Sequence, residues 1–326
     1  MDGEGHLSLG RIPRAGRSVE YPVRVVVYNS NYPLLEEIRQ TWGGVLTDSG
    51  QRNPRWKTGY ALIWTNAVAA KLLKAVGPFL RVKSRQAAML LRFVEHMKRT
   101  PRIRDSRGRL LPLPERELRV RQIFHLRLKS LNARGSRPGS PRVEHGPPAR
   151  RISLARLPPS PAYLAGFIEA EGCLMIAKTT DRTYHRTRYV PRICVSNTKK
   201  SVIEDLQRAY GGILADKPPQ RAGWKRGYLL IWTVGMIEHV LDAVGPYLIS
   251  KRGQAMVLTE FVRHVKGTAR AVRHKGSTEH QDEVQAFRAG LHKRMRELNA
   301  KGPPARPLSA VHAEENTVRR SKTPRA

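Results

Sequence analysis

Hydrophobic residues along the chain fall into two alternating patterns. Runs rich in β-branched and aromatic residues predict strands at 24–27, 59–65, 192–195 and 227–233. Between the strands of each pair, the sequence predicts helices near 31–42 and 199–210, each ended by a Gly-Gly pair.

A longer helix is predicted after the second strand of each pair. Its apolar residues have the spacing of an amphipathic helix, at Ala87, Leu90, Leu91 and Val94, and then at Ala255, Leu258 and Val262. A basic helix ending near a Leu-Asn pair closes each half. With a helix expected before the first strand, this order predicts an α+β fold of two αββαββα-type repeats.

The order occurs twice because the sequence repeats itself. Matching residues lie 168 positions apart over most of the chain: Gly43-Gly44 and Gly211-Gly212, Ile63-Trp64-Thr65 and Ile231-Trp232-Thr233, Lys83 and Lys251, Gln86 and Gln254. The offset is 167 for Asp2 and Glu169, and for Leu131-Asn132 and Leu298-Asn299. Two copies predict a pseudo-two-fold pair, equivalent to a homodimer fused into a monomeric chain.

Composition separates the repeats from their surroundings. Residues 133–160 are rich in Pro, Gly and Arg, which is typical of a linker. Residues 301–326 are basic and contain Pro, which predicts a disordered tail. The repeats are therefore expected at 1–132 and 161–300.

Charge indicates the kind of partner. The 60 Lys and Arg against 26 Asp and Glu give a formal charge of +34, which favours a polyanion. Nucleic acid is favoured over a membrane, because no stretch approaches the roughly 20 apolar residues of a membrane span.

The cysteine count and the N-terminus bear on the compartment. Cys173 and Cys194 are the two cysteines of the chain, so neither a disulfide framework nor a Cys-rich zinc site is expected. We expect both to be free thiols in a reducing compartment. The N-terminus lacks the pattern of a secretory signal. An intracellular protein is expected, cytoplasmic or nucleoid-associated, with an organelle left open.

One apolar helix is predicted to end in acidic residues. Ser160 is a good N-cap, Pro161 suits the first helical position, and Gly172 suits the end. Small residues recur every four positions, at Ala162, Gly166 and Ala170, which would allow a second helix to pack closely.

Glu171 lies at the end of this helix, and Glu4 has the matching place in the first repeat. If the two ends meet about a pseudo-two-fold axis, the like charges need a cation between them. Carboxylates favour Mg²⁺, Mn²⁺ or Ca²⁺, and such ions beside a phosphodiester would activate water and stabilise the leaving oxygen. The alternative is a solvated helix end.

The string Leu-Ala-Gly-Phe-Ile-Glu-Ala-Glu-Gly at 164–172 resembles the signature of the LAGLIDADG homing endonucleases, and Asp2-Gly3-Glu4-Gly5 resembles the end of a second signature. The resemblance extends to the Gly-Gly pairs, the stretches 80–87 and 248–255, and the closing Leu-Asn pairs. It implies a saddle of antiparallel sheets for DNA, a central interface of two helices, and Mg²⁺ or Mn²⁺ as cofactor.

The resemblance also assigns the metal ligands. The last acid of each signature, Glu4 and Glu171, would bind metal, assisted by the backbone carbonyls of Gly3 and Ala170. Asn29 and Asn197, which end the first strand of each predicted pair, would orient water from the second shell of residues or serve as helix N-caps.

The remaining matched residues have two possible roles each. The first acids, Asp2 and Glu169, are expected to be structural. Lys83 and Lys251 correspond to the family's active-site lysines and would stabilise charge or polarise water beside the scissile phosphate. The alternative is a solvated lysine at the start of an exposed helix.

The strands would read DNA, because a twisted ribbon fits the major groove and alternate side chains face the bases. The basic candidates, for base contacts or for non-specific phosphate attraction, are Arg24, Arg52, Arg55, Lys57, Lys178, Arg182, Arg186, Arg188, Arg192, Arg221, Lys225 and Arg226. Tyr21 and Tyr189, at matching positions, are expected to pack in the sheets.

The first signature is incomplete, since Met1 stands at the position of Ile168. An upstream true start and gene decay both explain this, and either leaves activity of this chain open. The sequence predicts a single-chain endonuclease that cuts double-stranded DNA at a long site. The alternatives are a non-cleaving RNA-binding intron maturase and a DNA-binding regulator.

Overall fold

The structure, a computed structural model, describes residues 1–14, 17–50, 58–100, 103–108, 111–133, 158–180, 187–219, 224–273 and 278–300. These residues belong to two compact units, one on each side of residues 134–157 in the sequence. Six of the predicted basic DNA contacts lie outside the described residues, as do the predicted tail and most of the linker: Arg52, Arg55, Lys57, Arg182, Arg186 and Arg221.

The first unit begins with a turn at 2–4 and continues with strands and helices. Its elements are β1 (Gly5–Leu9), β2 (Ile12–Arg14), β3 (Arg17–Glu20), β4 (Val23–Asn29), α1 (Tyr32–Trp42), β5 (Val45–Gly50), β6 (Gly59–Thr65), α2 (Asn66–Val76), α3 (Ser84–Arg99) and α4 (Glu115–Leu131). A 3-10 turn, Gly77–Phe79, joins α2 to α3.

The second unit has the full predicted order. Its elements are α5 (Pro161–Glu171), β7 (Gly172–Thr180), β8 (Thr187–Asn197), α6 (Lys200–Tyr210), β9 (Ile213–Lys217), β10 (Gly227–Trp232), α7 (Val234–Val244), α8 (Arg252–Arg273) and α9 (Thr278–Asn299). The predicted α+β class is confirmed. The hairpin β2–β3, which the sequence pattern did not predict, lies between the first two strands of the first sheet. Among the described helices, none combines the length and the apolar character that a membrane span needs.

Each unit is built on an antiparallel four-stranded sheet, with strand orders β1-β4-β6-β5 and β7-β8-β10-β9. The registers match, because His6 lies opposite Val26 in the first sheet as Cys173 lies opposite Cys194 in the second. Side chains alternate across a strand, so one face of each sheet packs on helices. We call the other the outer face; it carries His6, Ser8, Arg24 and Val26 in the first unit, and Cys173, Met175, Arg192 and Cys194 in the second.

Matched tryptophans lie in each core. Trp64 and Trp232 are fully buried, and each indole Nε1 donates to the last carbonyl of the preceding α1 or α6, that of Trp42 or Tyr210, at 3.0 Å. The Gly-Gly pairs beside them have positive φ. A Cβ on Gly44 would lie 2.9 Å from the Trp64 Nε1, so glycine is required both by conformation and by space.

The closing Leu-Asn pairs also have a structural role. The side-chain amide of Asn132 donates to the carbonyl of Leu7 at 2.7 Å, and that of Asn299 donates to Leu174 at 2.9 Å. Each bond ties the last helix of a unit to its first strand. The expected packing of Tyr21 and Tyr189 is confirmed by contacts between rings. The ring centroids of Tyr21 and His125 are 6.1 Å apart, and those of Tyr189 and His292 are 5.3 Å apart.

The helix pair α3–α4 contains a buried polar network. Glu117 accepts hydrogen bonds from His96 Nε2 at 2.9 Å and from Arg121 Nε at 2.6 Å. Burial favours the neutral acid, but the hydrogen bonds from Arg121 and His96 outweigh it and lower the pKa of Glu117.

The matching pair α8–α9 keeps the donors and lacks the acceptor. His264 and Arg288 correspond to His96 and Arg121, but Val284 stands where the first unit has Glu117. His264 Nε2 and Arg288 Nε are buried, with no hydrogen-bond partner among the described residues. Burial, and then the charge of Arg288, lower the pKa of His264.

Val284→Glu is therefore expected to stabilise the second unit by about 1 kcal/mol, because the carboxylate would accept from two buried nitrogens that have no acceptor within the described residues. The reverse change, Glu117→Val, is expected to destabilise the first unit by about 3 kcal/mol. Chemical denaturation of both variants measures the two effects. Destabilisation by Val284→Glu would contradict the matching of the two networks.

The pH dependence of the free energy of unfolding, measured by chemical denaturation at a series of pH values, gives an independent check of the two networks. Because the folded pKa of His264 lies below its ordinary 6.5, the unfolded chain binds more protons, and stability is lost as the pH falls below that value. In Val284→Glu the new carboxylate favours charged His264, so this loss should shrink. Glu117 affects stability in a more acidic pH range. Its contribution is lost only as the pH falls below the ordinary carboxyl pKa of 4.5 and through the depressed pKa of Glu117 in the folded protein.

Candidate active site

Each acidic motif ends in a tight turn closed by glycine. The helix α5 begins at its predicted N-cap, where Ser160 Oγ accepts from Tyr163 N, and ends with Gly172 N donating to Ile168 O. In the first unit Gly5 N donates to Met1 O at 3.0 Å. A Cβ on Gly172 would lie 2.6 Å from Ile168 O, so only glycine lets the chain leave the motif directly into a strand.

The small-residue stripe of α5 lies outside the core of the second unit. Ala162 and Gly166 are exposed, whereas Leu164 and Phe167 are buried. A Cβ on Gly166 would meet nothing within 4 Å.

The first acid of the first motif is a buried backbone cap. Asp2 is 6% exposed. Its Oδ2 accepts from the backbone amides of Arg81 and Val82 at 2.6 and 3.0 Å, and its Oδ1 accepts from Lys83 N at 2.9 Å. These amides immediately precede α3, so the carboxylate satisfies donors at the positive end of that helix.

The second motif repeats this arrangement. Glu169 Oε1 accepts from the backbone amides of Ile249 and Lys251 at 2.8 and 3.1 Å. Its Oε2 accepts from the hydroxyl of Ser250. Both first acids thus hold the start of the helix that follows the Gly-Pro turn.

The matched lysines reach back to the motif and donate to its backbone carbonyls. Lys83 Nζ donates to the carbonyls of Met1, Asp2 and Gly3 at 3.2, 2.5 and 2.6 Å. An ammonium has three donors, and these bonds use all of them on the carbonyl end of the motif.

Lys251 does the same in the second unit. Its Nζ donates to the carbonyls of Ile168, Glu169 and Gly172 at 2.6, 2.7 and 2.9 Å. The expectation of a solvated lysine at a helix start is wrong for both, since each ammonium is engaged with the backbone. We call the acid and lysine of each unit the reciprocal clamp: Asp2 with Lys83, and Glu169 with Lys251.

The clamp also bears on the predicted metal-binding carbonyls. The carbonyl of Gly3 already accepts from Lys83, which places a positive charge where a cation ligand was expected. In the second unit Lys251 donates to the carbonyl of Gly172, two residues beyond Ala170.

The last acids lie outside the clamp. Glu4 is exposed and Glu171 half-buried. Glu4 Oε2 accepts from Asn29 Nδ2 at 2.9 Å, a contact that no local sequence pattern indicates. Within the described ranges, no group of three or more His, Cys, Asp and Glu side chains is placed to hold a metal ion.

The predicted asparagine N-caps are wrong. The N-cap of α1 is Asn31, whose Oδ1 accepts from Leu34 N, and α6 begins after Lys199 without a side-chain cap. Asn29 and Asn197 instead accept from the backbone amide two residues ahead, at 2.8 and 2.9 Å, because an Asx turn competes with capping.

Two thiols lie beside the second motif. A hydrogen bond with Cys194 lowers the pKa of Cys173, burial opposes this, and Lys251 adds to the lowering. The same hydrogen bond and burial raise the pKa of Cys194.

The basic candidates separate by sheet face. Arg24 and Arg192, which are 168 positions apart, are exposed on the outer faces of the two sheets. Arg188 is also exposed, on the same strand and face as Arg192. Lys178 lies opposite Tyr189, on the face that carries Leu174 and Ile176 and not on the outer face, so its contact with DNA stays a prediction. A one-residue difference in strand position reverses the face.

Two further candidates precede β10. Lys225 is exposed. Arg226 Nη1 binds Asp216 Oδ2 at 2.7 Å, and both side chains are exposed, so a DNA phosphate would compete with this ion pair.

Solved structures similar to this chain share its fold. A double mutant of I-SmaMI is 15% identical, with a TM-score of 0.62 over 89% of this chain and 95% of that chain. The I-SmaMI LAGLIDADG homing endonuclease bound to cleaved DNA is 15% identical, with a TM-score of 0.60 over 90% of this chain and 94% of that chain. LAGLIDADG meganuclease I-AabMI bound to uncleaved DNA is 16% identical, with a TM-score of 0.61 over 90% of this chain and 95% of that chain. No protein-family model and no curated protein matches the sequence.

The chain therefore has an α+β fold in which two similar units, each with an acidic motif, follow one another. That fold is the one of the LAGLIDADG homing endonucleases.

The two acids of one motif should separate stability from function. Glu169→Gln is expected to lower the free energy of unfolding by about 2 kcal/mol, because a charged acceptor of backbone amides is lost. Glu171→Gln, two residues away, should change it by less than about 0.5 kcal/mol. Chemical denaturation compares them directly, and equal losses would contradict the division of roles.

Proposed function

We propose that this chain is a site-specific endonuclease of double-stranded DNA. The observation that carries the proposal is the pair of matched acids, Glu4 and Glu171, which lie outside the clamp on a fold that I-SmaMI uses when bound to cleaved DNA. The formal charge of +34 supports a polyanionic substrate.

Each unit contributes one carboxylate for divalent metal. Carboxylate oxygens suit Mg²⁺ or Mn²⁺, and one similar structure is I-SmaMI bound to uncleaved DNA in the presence of calcium ions. Such a metal supplies an activated water and charge stabilisation at the leaving oxygen. Glu4 in the first unit and Glu171 in the second would each be a ligand of such an ion; Asp2 and Glu169 are committed to backbone amides.

Within this proposal the lysines are positioning residues. Lys83 and Lys251 hold the carbonyl end of each motif, which fixes where the following acid projects. Asn29 orients the Glu4 carboxylate through its amide. The metal-binding acids therefore stand on a backbone that is fixed from both sides.

The cleavage test uses the chain as it exists, with a library of double-stranded DNA. Cutting should require Mg²⁺ or Mn²⁺. Glu171→Gln should reduce cutting by at least about a hundredfold, because the metal loses a charged ligand, while DNA affinity is kept.

Binding without metal-dependent cutting would overturn the nuclease proposal and favour a DNA-binding regulator. Preference for structured RNA over DNA in the same assay would favour the maturase. Metal-dependent cutting that Glu171→Gln leaves unchanged would contradict the assignment of the acids.

The outer faces are proposed to contact the DNA. Arg24 and Arg192 have matching positions there, and their exposure leaves their guanidinium groups accessible. Arg is suited to phosphates and guanine edges.

Arg192→Ala should weaken DNA binding and reduce the salt slope by about 0.9 if the contact is to one phosphate. The matched control is Lys178→Ala, which removes one positive charge from the opposite face of the same sheet. Binding isotherms between about 50 and 200 mM salt distinguish them. Equal effects of the two substitutions would exclude a face-specific contact.

A further inference from the structure

The second unit brings the two cysteines of the chain together. Cys173 lies directly opposite Cys194 in the register of β7 and β8. The Cys194 thiol is 3.7 Å from the carbonyl of Cys173, and both residues are half-buried on the outer face. The matching pair in the first unit is His6 and Val26.

Directly opposite residues of antiparallel strands suit a disulfide. Their Cα atoms are separated by about 4.5–5.5 Å, and a disulfide needs about 4.4–6.8 Å. Side chains at such positions share one face of the sheet. Closure therefore requires rotation of two side chains and no displacement of either strand.

We propose that Cys173 and Cys194 are a redox modification site, forming a reversible cross-strand disulfide by exchange with a small disulfide such as oxidised glutathione. One protein thiolate attacks the glutathione disulfide and releases one glutathione. The second thiol, as its thiolate, attacks the protein sulfur of the mixed disulfide and releases another. The protein loses two electrons and two protons, and oxidised glutathione is reduced to two thiols.

The bridge joins the strand that leaves the acidic motif to its neighbour. β7 begins at Gly172, next to Glu171, so the bridge fixes the first residues after the motif to β8. Its formation depends on the register of β7 and β8 alone and not on DNA cleavage, so failure of one proposal leaves the other standing.

The test equilibrates the full chain in glutathione buffers with an increasing oxidised fraction, then measures free thiols and intact mass. The two thiols should disappear together, in a monomer without retained glutathione, and dithiothreitol should restore both. The Tm of the oxidised form should rise by several degrees, because the bridge constrains the unfolded chain.

A matched control carries two thiols that cannot meet. In Cys173→Ser with Ala177→Cys, the new cysteine lies on the same strand and face, but about 13 Å farther along the strand. It should retain glutathione or form intermolecular dimers. A wild-type chain that keeps both thiols, retains glutathione or dimerises as the control does would overturn the proposal.

Discussion

The reciprocal clamp is the contact on which the acidic end of each unit depends. A carboxylate from the motif satisfies amides at the positive end of one helix, and the lysine that precedes that helix satisfies carbonyls at the end of the motif. In the second unit charges of both signs thus meet helix-end dipoles that favour them, and in the first unit the lysine meets the carbonyls of a turn. Hydrogen bonds to charged groups contribute about 1.5–3 kcal/mol each, so the clamp fixes the backbone from which the next acid projects.

The clamp explains why two acids in one short motif have different roles. Asp2 and Glu169 are committed to backbone donors, which leaves Glu4 and Glu171 for other chemistry. In the first unit the clamp is complete around a turn at 2–4, and in the second around the end of α5. The contact therefore depends on the last turn of the motif and on the lysine about 80 residues later.

Much of this fold follows from the sequence, because local patterns and the internal repeat agree. Strand runs, Gly-Gly pairs and Ser160 predict the element order, and α1, β6, α6 and β10 end or begin within one residue of their predicted bounds. The strands β1, β5, β7 and β9 were given no bounds. The partners of Lys83 and Asn29 did not follow, since each lies far away in the chain. The face of Lys178 did not follow either, because alternation depends on a register that pairing alone defines. The hairpin β2–β3 has no counterpart among the described residues of the second unit, so the repeat did not indicate it.

The outer faces show what fusing two copies permits. A homodimer carries the same residues twice, and the target of such a dimer is a palindrome. Here Arg24 and Arg192 match, whereas His6 and Val26 of the first unit are replaced by Cys173 and Cys194 in the second. Two unlike faces would select two unlike half-sites. Under the proposed function such a target has a direction, and the bound chain would distinguish its left side from its right and engage it in one orientation.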